Sequence, residues 1–282
     1  MKRLLDAGAS GAAVPPRPHA KLRAGSIWPP ERGRQILREL ALETAVRVTE
    51  VVGQQGRGDG SGSTDLIVER AGAWCLKTSP RRRFASEDEG RFAALGIVQR
   101  KLAIEGLLPP DSALALVGDD AGGAWIWTIS PWMTTLRATL RRAEEANDDE
   151  ALACGLESFA RVAIQAIRIA AERAIRIDLH PSNFGWHGSE LRYLDDDLGI
   201  GANLPAIGHS MLQRVEEYRA WPEAIARYVT ALEDGLAVEI SAEAARLTAL
   251  RASIETVSSR CLEVAFARER LLLALLRSKR GG

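Results

Sequence analysis

Residues 177–197 read IDLHPSNFGWHGSELRYLDDD and crowd Asp178, His180, Asn183 and the run Asp195, Asp196, Asp197 into one short stretch. Carboxylates and a side-chain amide are oxygen donors of the kind that suits a hard divalent cation, and a carboxylate held beside a hydroxyl can take its proton. A polar surface turn would use the same residue types. The elements that position these groups decide between the two readings.

Those elements belong to an ordinary globular chain. Hydrophobic residues make up 46% of the 282 and charged residues 26%, which supplies a sizeable core. Lys plus Arg and Asp plus Glu balance at 37 each, so no net field draws the protein to nucleic acid or to an anionic membrane. Cys75, Cys154 and Cys261 are far apart and odd in number, which argues against a disulfide framework and fits a reducing, cytoplasmic setting. The opening MKRLLDAGASGAAVPPRPHA has no apolar run long enough for a signal peptide, and no later stretch approaches the roughly 20 apolar residues of a membrane span.

Residues 1–29, rich in Ala, Gly and Pro, read as a flexible arm. A helix is expected over ERGRQILRELALETAV, then a strand over VRVTEVVGQ, a loop with five glycines from Gly53 to Gly62, and two short strands, DLIVER and AWCLKTS. A helix from Arg82 to about Leu107 and two further strands, SALALVGD and AWIWTISPWM, complete an N-terminal half of residues 30–133. Residues 134–282 read as mainly helical, with Leu156, Phe159, Ala163 and Ile167 on one stripe. The 177–197 stretch interrupts that half with a small hairpin, NFGW and LRYLD joined by HGSE.

This order of elements, with DLHPSN at its centre, resembles the protein-kinase-like phosphotransferases, and the loop is closest to the aminoglycoside and choline kinase branch, which often has D-L-H-P-x-N. The resemblance covers roughly residues 48–200. It implies an α+β, bilobal fold: a five-stranded antiparallel N-lobe with one helix, and a mainly helical C-lobe. It also implies ATP and Mg²⁺ as cofactors and transfer of the γ-phosphate to a hydroxyl. Asp178 would then be the base, and Asn183 with Asp195 or Asp197 would hold the metal. The resembled pattern favours Asp195, directly after an apolar strand residue, whereas DLG at 197–199 imitates D-F-G.

By the same resemblance Lys77 would hold nucleotide phosphates, paired with an acid of the following helix. Glu87, Asp88 and Glu89 are available there and Glu89, just ahead of Phe92 and Leu95, is preferred. Gly56 and Gly58 would cover the phosphates, and backbone groups from Ser130 through Trp132 to Met133 would meet the adenine. A small-molecule acceptor is expected because His180 stands where protein kinases have Lys, and the acids of RVEEYRAW and ALEDGLAVE would favour a cationic one.

One departure bears on activity. Two residues before Asp178 the resembled family usually has His, and this chain has Arg176. A nucleotide-binding pseudokinase that acts through a protein partner is therefore the alternative reading. A protein Ser/Thr kinase is the third, and LGIGANLPAIGHSM is short for its activation segment.

Overall fold

The computed structural model describes residues 26–28, 67–71, 73–109, 112–118, 121–195, 198–201, 204–239, 244–258 and 261–278. It is a mixed α+β protein in two compact units, Met1–Met133 and Thr134–Gly282. Among the described residues no helix is long and apolar enough to cross a membrane.

The first unit is built on a sheet. Its strands are β1 (Ser26–Trp28), β2 (Ile67–Ala71), β3 (Trp74–Thr78), β4 (Arg83–Phe84), β5 (Ala113–Gly118) and β6 (Ala124–Pro131). They lie in the order β1-β5-β6-β3-β2, with β4 also on β6. All pairs are antiparallel except β1 with β5, which is parallel, Ile27 opposite Leu114.

This sheet differs from the expected five antiparallel strands. Six are present among the described residues, and one of them, β1, falls in the stretch read as an arm. Three residues between Gly and Pro carry too little pattern to announce a strand, and it is the exposed edge of β5 that supplies their hydrogen bonds. The strand expected over VRVTEVVGQ lies outside the described residues, as do Gly56 and Gly58.

Helix α1 (Glu87–Ala103) lies on this sheet. Ser86 caps it by accepting from the Glu89 N–H at 3.2 Å, and Glu89 Oε2 accepts from the Ala85 N–H at 3.2 Å, so both side chains serve orphan donors at the helix start. The buried stripe is Gly90, Ala94, Ile97 and Lys101. Ala94 and Ile97 pack on Leu114, Leu116, Ala124 and Ile126.

The second unit is a helical assembly. It comprises α2 (Leu136–Ala146), α3 (Asp149–Arg173), α4 (Leu204–Glu217), α5 (Pro222–Glu239), α6 (Ala244–Thr256) and α7 (Leu262–Ser278). Thr135 and Asp148 cap α2 and α3 through their side chains. The long α3 is the centre: Leu156, Phe159, Ala163 and Ile167 are all buried, as their helical spacing predicts. Between α3 and α4 the chain forms β7 (Ile175–Arg176), β8 (Phe184–His187), β9 (Glu190–Tyr193) and β10 (Gly199–Ile200). β8 and β9 make the expected hairpin, and β7 pairs with β10.

Helix α5 runs against α3, and Gly235 lets it come close. A Cβ at Gly235 would stand 2.5 Å from Ile164 Cγ1, and Ile164 is β-branched and buried. Gly235→Ala is expected to destabilise the protein by about 1–3 kcal/mol through overpacking. Thermal unfolding measures this, and an unchanged midpoint would mean that the two helices separate freely.

Candidate active site

The 177–197 stretch is anchored by its apolar residues. Ile177 and Leu179 are buried on either side of Asp178, which is thereby turned outward. Phe184, fully buried, meets Phe159 of α3 edge-on at 5.9 Å and Tyr193 at 5.3 Å, so the hairpin is fixed to the central helix. Tyr193 also reaches back to the loop, where its hydroxyl accepts from the Asp178 N–H at 3.3 Å.

The loop is closed by its own polar groups. His180 Nδ1 lies 2.6 Å from Ser182 Oγ and accepts from the Ser182 N–H at 3.3 Å, which caps the short turn Pro181–Asn183. The Asn183 N–H donates to His180 O at 2.8 Å. Across the turn, Asn183 Nδ2 donates to Asp178 Oδ2 at 3.1 Å, and the Leu194 N–H donates to Asn183 O at 2.7 Å. That last bond ties the exit of β9, and with it Asp195, to the loop. Asp178 and Asp195 share a pocket of about 220 Å³ with Arg176, Ala206, Ile207 and Ser210.

Asp178 is open to solvent on one side. Crowding by the loop withdraws water from its carboxyl and raises its pKa above the usual aspartate range; Asp195 adds to the rise, while His180, the Asn183 amide and Arg176 oppose it.

His180 is shifted the other way. Burial lowers its pKa first, then the Arg214 and Arg137 guanidinium groups, against the upward pull of Asp178 and Glu217. The imidazole is therefore held neutral, as its role of acceptor at Nδ1 demands. Because the folded pKa is depressed, the unfolded chain takes up a proton that the folded chain refuses as the pH drops below the ordinary imidazole value of about 6.5. His180 thus subtracts stability over that window and levels off below its folded pKa. An NMR titration of its Cε1–H is expected to give a midpoint below the ordinary value, and a midpoint at or above it contradicts this account.

The two guanidinium groups near His180 belong to a network that the sequence did not announce. Glu217, at the end of α4, bridges Arg137 of α2 and Arg214 of α4, and Arg214 is only 2% exposed. Two of the acids expected to attract a cationic acceptor are thereby committed: Glu217 to these two arginines, Glu233 to Arg270. Arg214 escapes a sequence reading because arginine is so rarely buried.

In the first unit Lys77 stands opposite Val68 and Thr128 in the sheet register, half-buried, on the face where α1 packs. Arg82 Nη1 donates to Thr128 Oγ1 at 3.0 Å, which brings a second cation to that face. Arg82 is expected to open a helix, because Arg-rich runs suit helices as well as turns. It lies instead in a short turn, Pro80–Arg82.

Glu89, the preferred partner for Lys77, lies in the first turn of α1 on its exposed side. Phe92 and Leu95, which follow it, are 81% and 50% exposed, and Glu89 is exposed with them. Glu87, one turn before Gly90, is half-buried and lies on the packed side of α1. Of the expected adenine contacts, Ser130 pairs with Cys75 in the sheet and Met133 is buried. The Trp132 N–H donates to Ala73 O at 2.7 Å, so that amide is spent on the first unit itself.

Among the described residues no cluster of three or more His, Cys, Asp or Glu side chains surrounds a potential metal position. Asp197 lies outside them, so the expected donor set is represented by Asn183 and Asp195. A larger groove of about 840 Å³ runs between α3 and α5, but its charges, such as Arg227 paired with Glu150 and Glu157, include none from the loop. The residues singled out in the loop thus line the small pocket and not this groove. No protein-family model and no curated protein matches this sequence.

Proposed function

We propose that this chain is an ATP- and Mg²⁺-dependent phosphotransferase of the protein-kinase-like, bilobal type, moving the γ-phosphate to a hydroxyl of a small molecule. The observation that carries the reading is the closed loop in which Asn183 Nδ2 holds Asp178 Oδ2 at 3.1 Å, with Asp195 in the same pocket. Asp178 orients the acceptor hydroxyl and takes its proton. With its amide nitrogen turned to Asp178, Asn183 offers its carbonyl oxygen to a cation, and Asp195 offers a carboxylate. Both are hard donors, and two protein oxygens suit Mg²⁺, whose remaining positions go to phosphates and water. Mg²⁺ supplies charge neutralisation on the transferring phosphate. Tyr193 keeps the Asp178 backbone in place, and Lys77 with Arg82 offers positive charge to nucleotide phosphates.

The metal assignment is tested by titrating ATP with and without Mg²⁺. Asp195→Ala is expected to abolish most of the Mg²⁺-dependent gain in ATP affinity, and Asp197→Ala to reduce it less. The reverse ranking would assign the metal to Asp197. In the same titration Glu87→Ala is expected to weaken ATP binding more than Glu89→Ala, whose carboxylate serves the helix cap.

Arg176 in place of the family's His favours a second reading, a nucleotide-binding pseudokinase that acts through a protein partner. It predicts Mg²⁺-dependent ATP binding in a protein that transfers no phosphate to any hydroxyl acceptor.

A further inference from the structure

We propose that Arg176 makes the loop pocket selective for an acceptor that carries an oxyanion, a carboxylate or a phosphate, next to the reacting hydroxyl. The proposal rests on the phosphotransferase reading for its word acceptor, and on the pocket itself for its chemistry.

Arg176 lies in β7, two residues before Asp178, and its side chain is exposed. It forms no hydrogen bond or ion pair with another described residue, unlike Arg137, Arg214, Arg227 and Arg270, each of which meets a glutamate. Its guanidinium packs on the backbone of the neighbouring strand. It lies over Gly199 of β10, where a Cβ would stand 2.7 Å from Nε and 2.8 Å from both Cζ and Nη2. Only glycine at 199 leaves room for this arrangement, and the β7–β10 pairing, Arg176 opposite Gly199, fixes the backbone beneath it. Arg176 thus places a cation on the wall of the pocket that contains Asp178 and Asp195.

Among the described residues the rest of the lining, Ile177, Leu179, Ala206, Ile207 and Ser210, adds no charge. Its volume of about 220 Å³ equals roughly seven waters at about 30 Å³ each, enough for the reacting end of a small molecule. Asp195 is taken by the metal and Asp178 by the hydroxyl. Arg176 is then the remaining charge among the described lining residues, and a guanidinium fork matches a carboxylate or phosphate in two parallel hydrogen bonds. Of the helix acids that would have attracted a cationic acceptor, Glu217 and Glu233 are already bound to arginines.

The test is binding, with Mg²⁺ present and nucleotide absent, of three hydroxyl probes to the full chain, followed by ligand-observed NMR at millimolar concentration. Glycerate carries a carboxylate, glycerol no charge and choline a quaternary ammonium. Glycerate is expected to bind about tenfold or more tightly than the other two, a gap of about 1.4 kcal/mol. Arg176→Gln is expected to erase that preference, Arg176→Lys to keep part of it, and Arg161→Gln, in the distant groove, to leave it unchanged. The proposal is overturned if glycerate shows no advantage, or if Arg176→Gln retains it while Arg176→Lys and wild type melt alike. It is also overturned if Arg176→Gln weakens Mg²⁺-ATP and not glycerate, because the oxyanion would then be the nucleotide's own phosphate. Failure of the phosphotransferase reading looks different: no Mg²⁺-dependent ATP binding in wild type, with the glycerate preference intact.

Discussion

Asp178→Ala is expected to lower phosphoryl transfer by about 10²–10⁴-fold, the usual contribution of a positioned general base, while ATP affinity changes little. The separation of the two effects follows from the loop. Asp178 is held by Asn183 Nδ2 at one oxygen and by Tyr193 at its backbone N–H, and only the first bond involves the side chain. Removing the carboxylate therefore leaves Asp195 and the backbone bond from Leu194 to Asn183 where they are. Tyr193→Phe should act more mildly, because it deletes a backbone support and leaves the carboxylate. A variant without Asp178 that retains wild-type turnover on an identified acceptor would remove Asp178 from the chemistry.

Glu217→Ala carries the largest expected effect on stability. Arg214 is 2% exposed and Glu217 is its carboxylate partner. Without Glu217 the buried guanidinium keeps its desolvation cost and loses its compensation, at about 3 kcal/mol. In thermal unfolding this amounts to a fall of roughly 5–10 °C. Replacing both partners, Arg214→Met with Glu217→Leu, should recover most of the loss, because the buried charge is then gone. The same Glu217→Ala variant also loses an upward pull on His180, so the imidazole should titrate still lower. A full-strength melting transition in Glu217→Ala would show that Arg214 finds water or another partner.

How far the sequence anticipates this structure depends on the range of the interaction involved. The hairpin and the DLHPSN turn are local: Pro181 starts the turn, Gly188 and Ser189 join the strands, and buried Ile177 and Leu179 alternate with exposed Asp178. Such features are written in neighbouring residues. The α3 stripe is equally legible because its period repeats over many turns. The parallel pairing of β1 with β5 is not local, and three residues carry no register. The phase of α1 is hard to read from sequence for another reason. Phe92 and Leu95 look like core residues, yet small Gly90 and Ala94 face the sheet, where a Cβ on Gly90 would already meet Leu116 at 2.8 Å. That choice moves the inward acid from Glu89 to Glu87. The Arg137–Glu217–Arg214 network was hidden because RVEEY has the composition of an exposed helix face, and only tertiary packing buries Arg214.

Thermal unfolding of the full chain with ATP, comparing added Mg²⁺ with a chelator, tests the central claim most directly. A ligand at about 100 times its dissociation constant adds about 2.7 kcal/mol, several degrees for a chain of this size. The account predicts an upward shift that requires both ATP and Mg²⁺ and that Asp195→Ala loses. No shift at millimolar ATP with Mg²⁺ present would contradict it.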